Sequence, residues 1–485
     1  MSDMGLSIVA SGLAADTADL NTASNNLANI NTPGYAAEQV NLSPEAGKGP
    51  SGSGQGVLIG SVTRLTDAVY VAANIAAQGV QGAAGQMNQV MKSIESVFPE
   101  PSSSGISSQL STFWSDLSAL ASNPNQAGVQ QAFVGAAQTV AASISSGYSE
   151  LSQLSSSLQS QVGSGANDGG WLAQSNALLS QVAQLNAGIV AGAAGSQNVN
   201  SLIDQSTAAV NKLAGLMGVT STTAPNGSVS VYLDGVQLVA GDVAQTLSST
   251  GSAVNTNLGI STSNGVAVDV RGSIGANITA VNSTIPSYEA KLNSVADSLA
   301  TNLNSLQANG LNVNGNPGSG IAGGYTGTIL PSVFVNGGSS TSYTTSSGGF
   351  GSAETISVSP ALVADPTLIA TASAPGPNNS NVIGTPTFDG SNAQAMAALA
   401  SSGSGPDALY QTMIGALGTQ ASNASTVAAA ASSLATTASN NMSTISGVDM
   451  NNQELKILSA QNAFQAVSKV VNVITANLQA LMQAV

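Results

Sequence analysis

Residues 451–485 read NNQELKILSAQNAFQAVSKVVNVITANLQALMQAV. Within them Ile457, Ala460, Phe464, Val467, Val471, Ile474, Leu478, Leu481 and Val485 keep an unbroken alternation of three and four residues, which is the seam of a coiled coil. The first thirty residues answer it with Leu6, Leu13, Leu20 and Leu27 at intervals of seven, backed by Val9, Ala23 and Ile30 and interrupted once by Asp16. A stripe this narrow buries against other helices but does not suit the middle of a globular core. Burying a Leu, Ile or Val contributes about 1.5–3 kcal/mol, whereas an isolated helix of this length is marginal in water. Both ends are therefore expected to be loose alone and ordered in company. Flanking charges are nearly confined to Glu454, Lys456 and Lys469, so partner choice is expected to rest on shape and on amides such as Asn462, Asn472 and Asn477, with little dependence on salt.

Working outward, 485 residues exceed what one core holds, and two to four domains are expected. The chain has no His and no Cys. That removes the usual zinc and haem ligands, thiol nucleophiles, disulfides and any Ser-His-Asp arrangement. Charged residues make up 6% of the chain, against about 25% in ordinary domains, so hydroxyls and amides must solvate the surface. Lys48, Arg64, Lys92, Lys212, Arg271, Lys291, Lys456 and Lys469 stand singly in a chain of net charge −15, which makes nucleic acid an unexpected partner. The N-terminus shows no basic and apolar leader pattern, and no run of eighteen or more apolar residues is read, so neither a cleaved signal peptide nor a membrane anchor is expected.

Enzyme signatures are poor. Gly52, Gly54 and Gly56 do not complete a dinucleotide loop, because Val57 stands where the third Gly belongs. Glu95 with Glu100, or Asp204 with Asp234, could be paired as glycosidase carboxylates, but solvated surface positions explain them better. Tyr35, Trp114 and Trp171 read as packing residues. No catalytic, cofactor-binding or metal residue is nominated, and no enzyme is expected.

Periodicity gives the organisation. Residues 1–30 read as one helix stopped at Asn31-Thr32-Pro33-Gly34, and residues 44–56 as a Gly/Ser/Pro-rich loop. Helices then run over about 66–217, with stripes Met87/Val90/Ile94/Val97, Leu110/Phe113/Leu117/Leu120, Leu151/Leu154/Leu158/Val162 and Leu178/Val182/Leu185/Ile189, broken at Pro99–Gly105, Asn123-Pro124 and Gly163–Gly170. From 218 to 275 the period becomes two, and Asp234-Gly235 between alternating valines signals a type I′ hairpin. A helix is expected to start at Pro286 and carry Tyr288, Leu292, Val295, Leu299 and Leu303 or Leu306 on one face. The Gly/Ser/Thr/Pro-rich stretch 311–392 reads as a second, weaker β module or decorated loop, and helix resumes near 393. The fold class is thus mainly α with β inserts. Residues 1–45 and 440–485 form a terminal helical coiled-coil domain; 46–217, 276–310 and 393–439 a long-helix bundle; 218–275 a small antiparallel β insert; and 311–392 a variable β-rich outer domain.

Asn25-Asn26-Leu27-Ala28-Asn29-Ile30-Asn31-Thr32-Pro33-Gly34-Tyr35, preceded by Ser11-Gly12-Leu13, resembles the N-terminal signature of bacterial flagellar axial proteins. Gly447-Val448-Asp449 through Ala460–Ala466 to Lys469-Val470 resembles their C-terminal signature. Gly56-Val57 with Val62, Arg64 and Asp67, Leu202-Ile203-Asp204-Gln205, and Pro360–Pro366 resemble local patterns of the hook-associated protein 1 family. Ala36-Ala37-Glu38 and Ser206-Thr207 depart from the family's charged residues at two places. The resemblance implies a structural protein of the flagellum, passed through type III export and placed at the hook–filament junction, with a hook or distal rod protein as the alternative. It implies as partners the hook protein, a second junction protein of the hook-associated protein 3 type, a ring of identical subunits and a cytoplasmic export chaperone. The assembly contacts are assigned to Leu6, Leu13, Leu20, Leu27, Phe464, Val467, Val471, Ile474, Leu478 and Leu481, and the family motif to Asn25, Asn26, Asn29, Thr32, Gly34 and Tyr35. A Gly/Ser/Asn-rich adhesin is a further reading, which the helical periods oppose.

Overall fold

The computed structural model describes residues 2–32, 34–46, 55–165, 168–195, 197–251, 257–321, 328–337, 342–343, 352–374 and 386–483. Helix α1 (Ser2–Ala28) leads into a two-stranded hairpin, β1 (Glu38–Glu45) and β2 (Gly56–Arg64). Helices α2 (Ala68–Val97), α3 (Ile106–Ser122), α4 (Ala127–Val162), α5 (Trp171–Ala194) and α6 (Asn200–Met217) follow. The α2–α3, α3–α4 and α4–α5 boundaries fall at the Pro and Gly breaks read in the sequence, whereas the boundary between Ala194 and Asn200 does not coincide with any of them. The side chain of Asp67 caps α2 by accepting from the Val69 N–H, and Gly218 closes α6 in the left-handed region. Five helices are thus delimited by local chemistry.

Strands β3 (Thr220–Thr223), β4 (Val229–Leu233), β5 (Val236–Ala240) and β6 (Val243–Ala244) form one antiparallel sheet in that order. A second sheet is made of β7 (Leu247–Thr250), β8 (Gly259–Thr262) and β9 (Ala267–Val268). Asp234 and Gly235 both have positive φ, 50° and 78°, as a type I′ turn demands. The helix expected from Pro286 begins earlier. Helix α7 (Gly272–Thr279) passes through one π-helical turn at Ala280–Thr284 into α8 (Ile285–Ala308). The Ile285 N–H reaches back five residues to the Ala280 carbonyl, and this wider turn lets the helix continue through Pro286, which has no N–H of its own to offer.

Beyond α8 come short pieces: β10 (Gly310–Leu311), β11 (Phe334–Val335), α9 (Ser352–Thr355), β12 (Ser357–Val358), α10 (Pro360–Ala364), β13 (Ala372–Ser373) and α11 (Ser391–Ala397). The chain ends in two long helices, α12 (Pro406–Ser446) and α13 (Met450–Gln483), parted at Gly447.

Two apolar cores organise the body. The first joins α2, α3, α4, α8 and the start of α12, with Leu110, Phe113, Leu117, Leu120, Phe133, Leu151, Tyr288, Leu292, Leu299 and Leu303 fully buried. The second joins α5, α6, α7 and both larger sheets around Leu172, Leu179, Val182, Leu213, Met217, Val231 and Leu247. The expected single bundle over 46–217 is therefore divided: α5 and α6 belong with the β insert, because their apolar faces meet the strands rather than α3 and α4. The stretch read as an outer module is also corrected. Val333, Phe334, Ala353, Leu362 and Ile369 are fully buried in the first core, so its described residues cap the helices. Residues 44–56 are not wholly loop either, since Pro44–Glu45 and Gly56 pair across the hairpin; residues 47–54 of the expected loop lie outside the described residues. Helix α5 is long and apolar enough by composition to cross a membrane, but polar residues such as Gln174, Ser175 and Asn176 interrupt it, and Leu172, Leu179, Val182 and Ile189 are buried in protein.

Between body and termini, α2 and α12 run side by side. Ala421, Ala424, Ala428, Ala431, Ala435 and Ala438 repeat every three and four residues along α12 and are its buried or half-buried positions there. Ala77 of α2 joins Ala435 and Ala438 in a small cluster. On its other side α2 crosses α6 at glycines: a Cβ on Gly82 would collide with the Gly215 carbonyl, whereas one on Gly85 would meet open space. Gly82→Ala should therefore cost about 1–3 kcal/mol through forced separation of the helices. Gly85→Ala should stabilise by up to about 1 kcal/mol, as expected for Gly in a helix. Urea midpoints of the two variants check the pair of signs.

Candidate assembly interface

Helices α1 and α13 pack on one another within the chain, and the β1–β2 hairpin lies along α1. The buried positions of this terminal unit are small or polar: Ala15, Ala23, Asn26, Ala36, Ala37, Glu38, Val40, Gln453 and Ala460. Small residues let backbones approach closely but release little apolar surface. The unit is correspondingly thin.

The sequence-derived contact residues divide on this geometry. Leu13, Leu20, Leu27, Val467, Val471 and Ile474 are half-buried, at the margin of the intrachain pairing. Leu6 is exposed, and Phe464 keeps 53% of its surface. The side chains of Leu478 and Leu481 lie outside the described residues. The pattern reading missed a second set. Leu455, Leu458, Val470 and Val473 are exposed on α13, Val473 to 59%, and helical spacing puts these four on one face, roughly opposite Ala460. Ile8 on α1 and Leu42, Leu58 and Ile59 on the hairpin add to the uncovered apolar surface. Isolated apolar side chains at a surface are ordinary; a contiguous set marks a contact surface. The signal was present in the sequence as a second apolar row on the same helix.

The family motif is a hydrogen-bonding centre. Asn26 is fully buried. Its Oδ1 accepts from the Tyr35 hydroxyl at 2.7 Å and the Glu38 N–H at 2.8 Å, while its Nδ2 donates to the Glu38 carbonyl at 2.9 Å and to Gln453 Oε1 at 3.2 Å. One side chain thus ties together the end of α1, the entry to β1 and the start of α13. Asn29 donates to the Asn25 carbonyl and side chain, and the Thr32 hydroxyl donates to Asn29 Oδ1, finishing the helix locally. Gly34 has φ 84°, and a Cβ there would press on Ala208 of α6, so glycine is required both for its backbone and for the close approach. Pro33 lies outside the described residues. Tyr35, read from sequence as a packing residue, is a hydrogen-bonded one. Its hydroxyl is held above its ordinary pKa by burial and by the carboxylates of Glu38 and Asp204.

Beside this centre the Arg64 guanidinium meets the Asp204 carboxylate of α6 at 2.5 Å, with both side chains only 12% and 11% exposed. The Ala36 N–H also donates to Asp204. Asn200 of α6 donates to the Val62 carbonyl at 3.2 Å, and the Ala37 N–H donates to the Ser446 carbonyl at the end of α12. Arg64 Nε has no acceptor, and the Ser206 hydroxyl is buried without a partner. Ser206 is one of the positions where the chain departs from the family's charged pattern. Asp204 is therefore half of an ion pair, and the notional Asp204–Asp234 carboxylate pair is not formed: Asp234 sits in the β4–β5 turn. Glu100 accepts from the Ser107 N–H and the Tyr410 hydroxyl, and Trp114 donates to Asp407 at 2.6 Å. Among the described residues no three acidic side chains gather as a metal site.

Burial pushes the carboxyls of Asp204, Glu289, Asp407 and Asp19 above their ordinary values; the Glu354 charge adds to this at Glu289, and Arg64 opposes it at Asp204. A raised carboxyl means that the folded chain binds more protons than the unfolded one between the two pKa values. Stability from these groups is full below the unfolded value and is lost as pH rises through the folded one. The net charge of −15 acts in the same direction. The urea midpoint should accordingly be higher at pH 5 than at pH 8, and Asp407→Asn, which keeps an acceptor for Trp114, should flatten part of that slope.

Comparisons with known proteins agree with this arrangement. Residues 91–321 match the family described as the flagellar hook-associated protein FlgK helical domain, and residues 6–35 match the flagella basal body rod protein family. Flagellar hook-associated protein 1 of Bacillus subtilis (strain 168) is 28% identical over 225 residues, covering 44% of this chain and 43% of that protein. The Salmonella typhimurium protein of the same name is 28% identical over 250 residues, covering 50% of this chain and 44% of its own length. The matched stretch thus spans less than half of these relatives. In fold, the chain is similar to the flagellar hook junction protein FlgK of Burkholderia pseudomallei, with a TM-score of 0.59 at 19% identity over 76% of this chain and 98% of that one. The rod-type match at 6–35 falls on the helix and turn that Asn26, Gly34 and Tyr35 organise, the helical-domain match falls on the body, and over these stretches the chain is similar to the flagellar hook-associated protein 1 family.

Proposed function

We propose that this chain is a structural subunit of the junction between the flagellar hook and filament, and that it acts by assembly alone. The observation that carries the reading is the uncovered apolar face of the terminal unit, with Leu455, Leu458, Val470 and Val473 on α13 and Leu6 and Ile8 on α1. Copies packed side by side would cover these residues, and Leu13, Leu20, Leu27, Val467, Val471 and Ile474 would contribute at the margins of the same surface. The family likeness supplies the setting: hook protein on one side, a second junction protein of the hook-associated protein 3 type on the other, and a ring of identical copies between them. Export through the flagellar type III route, with a cytoplasmic chaperone shielding the apolar face, fits the same surface. The terminal unit is the axial part and the helical and β body the outer part.

Deletion of the gene tests this reading. Loss of a junction subunit leaves complete hooks without filaments, whereas loss of a hook or distal rod protein leaves no hook. Electron microscopy of the deletion strain separates these outcomes, and finding normal filaments would refute both.

A further inference from the structure

The terminal unit has little apolar hold on the body. Neither large core includes any residue of 1–65 or 447–483 among the described residues. Besides the two chain crossings and the Ala37 N–H on the Ser446 carbonyl of α12, α6 contributes a group of contacts across the gap: the Arg64–Asp204 ion pair, the Ala36 N–H on Asp204, Asn200 on the Val62 carbonyl, and Gly34 seated on Ala208. An apolar contact tolerates sliding, but a buried ion pair fed by a backbone N–H has one geometry, and in some proteins buried ionic or polar groups serve specificity rather than stability.

We propose that Arg64 and Asp204 form an orientation latch, which fixes the pose of the α1–α13 pair relative to the helical body without being needed for the folding of either. Arg64 rides on β2, whose partner strand begins at Glu38, the residue bonded to Asn26; Asp204 stands on α6, packed against α5 in the second core. The latch thus connects the buried Asn26 centre to a rigid wall. What a fixed pose is for rests on the proposed assembly role: each copy would present its apolar face at one angle to the next. The latch itself rests on the geometry.

The chain has no native cysteine, so a spin-label pair can be introduced cleanly at Ser24→Cys on α1 and Gln184→Cys on α5, both exposed. Pulsed dipolar spectroscopy of the otherwise unaltered full-length chain should give one narrow distance peak. Arg64→Met or Asp204→Asn should each abolish that single peak in favour of a broad distribution, with far-ultraviolet dichroism and the urea midpoint of the body unchanged. The double variant should be no broader than the worse single one, because the two side chains act as one pair. A peak that stays narrow in both single variants overturns the latch. So does a broad distribution in the unaltered chain, or broadening accompanied by loss of the terminal helices. Each of those results leaves the junction role standing, which the deletion strain tests independently.

Discussion

Aspartate at both Leu458 and Val473 should abolish incorporation of the chain at hook tips while leaving the isolated protein folded. Both side chains are more than half exposed in the single chain, so carboxylates there are solvated and cost the monomer little. In an assembly that covers the face, each would lose about 1.5–3 kcal/mol of apolar burial and add the far larger penalty of an unpaired buried charge. Two such sites per copy, repeated around a ring, leave no measurable assembly. Dichroism and urea denaturation of the purified variant, alongside a motility assay and microscopy of hook tips, check the two halves. Leu478→Asp with Leu481→Asp, on the seam read from the sequence, is expected to do the same. Normal filaments on either variant would remove that face from the interface.

The second large effect belongs to Asn26→Ala. Four hydrogen bonds end on this amide, and its removal strands the Tyr35 hydroxyl, the Glu38 N–H and carbonyl and the Gln453 side chain in a buried place. At about 1–3 kcal/mol for each buried group left without a partner, the loss is on the order of 3 kcal/mol or more. It should be confined to the terminal unit, since Asn26 touches neither apolar core. Hydrogen exchange should therefore accelerate over residues 6–32 and 450–470 with the body unchanged. Gln453→Ala, which removes one bond of the four, should give a smaller effect in the same segments. Uniform acceleration through α3, α4 and α8 would show instead that the centre supports the whole fold.

Much of the architecture was legible in the residues. The breaks at Pro99–Gly105, Asn123-Pro124 and Gly163–Gly170 end helices because proline and glycine act locally, and Asp234-Gly235 turns the β4–β5 hairpin for the same kind of reason. What escaped was information held between distant segments. The helix at Gly272 carries two glycines and a serine in its first turn and no long stripe, so only its packing against α2 and α6 marks it. The β1–β2 hairpin was hidden by its Gly/Ser/Pro-rich connection. The alanine row of α12 was too small in side chain to stand out as a seam, although it packs as one. The stretch after residue 311 read as decoration because its buried residues are scattered among Gly, Ser and Thr; Phe334 and Leu362 nonetheless fill the first core.

The interface was half legible. The three-and-four alternation located the terminal helices, but the rows it selects fall at the margin of their mutual contact, since the centre is occupied by Ala15, Ala23 and Ala460. Asn25 to Tyr35 carry a resemblance in their residues, but the hydrogen bonds of Asn26 show only in the fold. That Asn26 bonds to Gln453, or Arg64 to Asp204, leaves no periodic trace in a sequence, because pairs so far apart are set by the fold and not by spacing.

The proposed role requires the outer face of α13 to be open in the single chain and closed in the assembly. Hydrogen exchange over residues 450–483, measured on the purified chain and on isolated hook–filament junctions, tests this most directly. The expected result is markedly stronger protection in the junction than in the free chain, with the body alike in both. Equal and strong protection in the two states would contradict it, because the terminal helices would then be complete without neighbours.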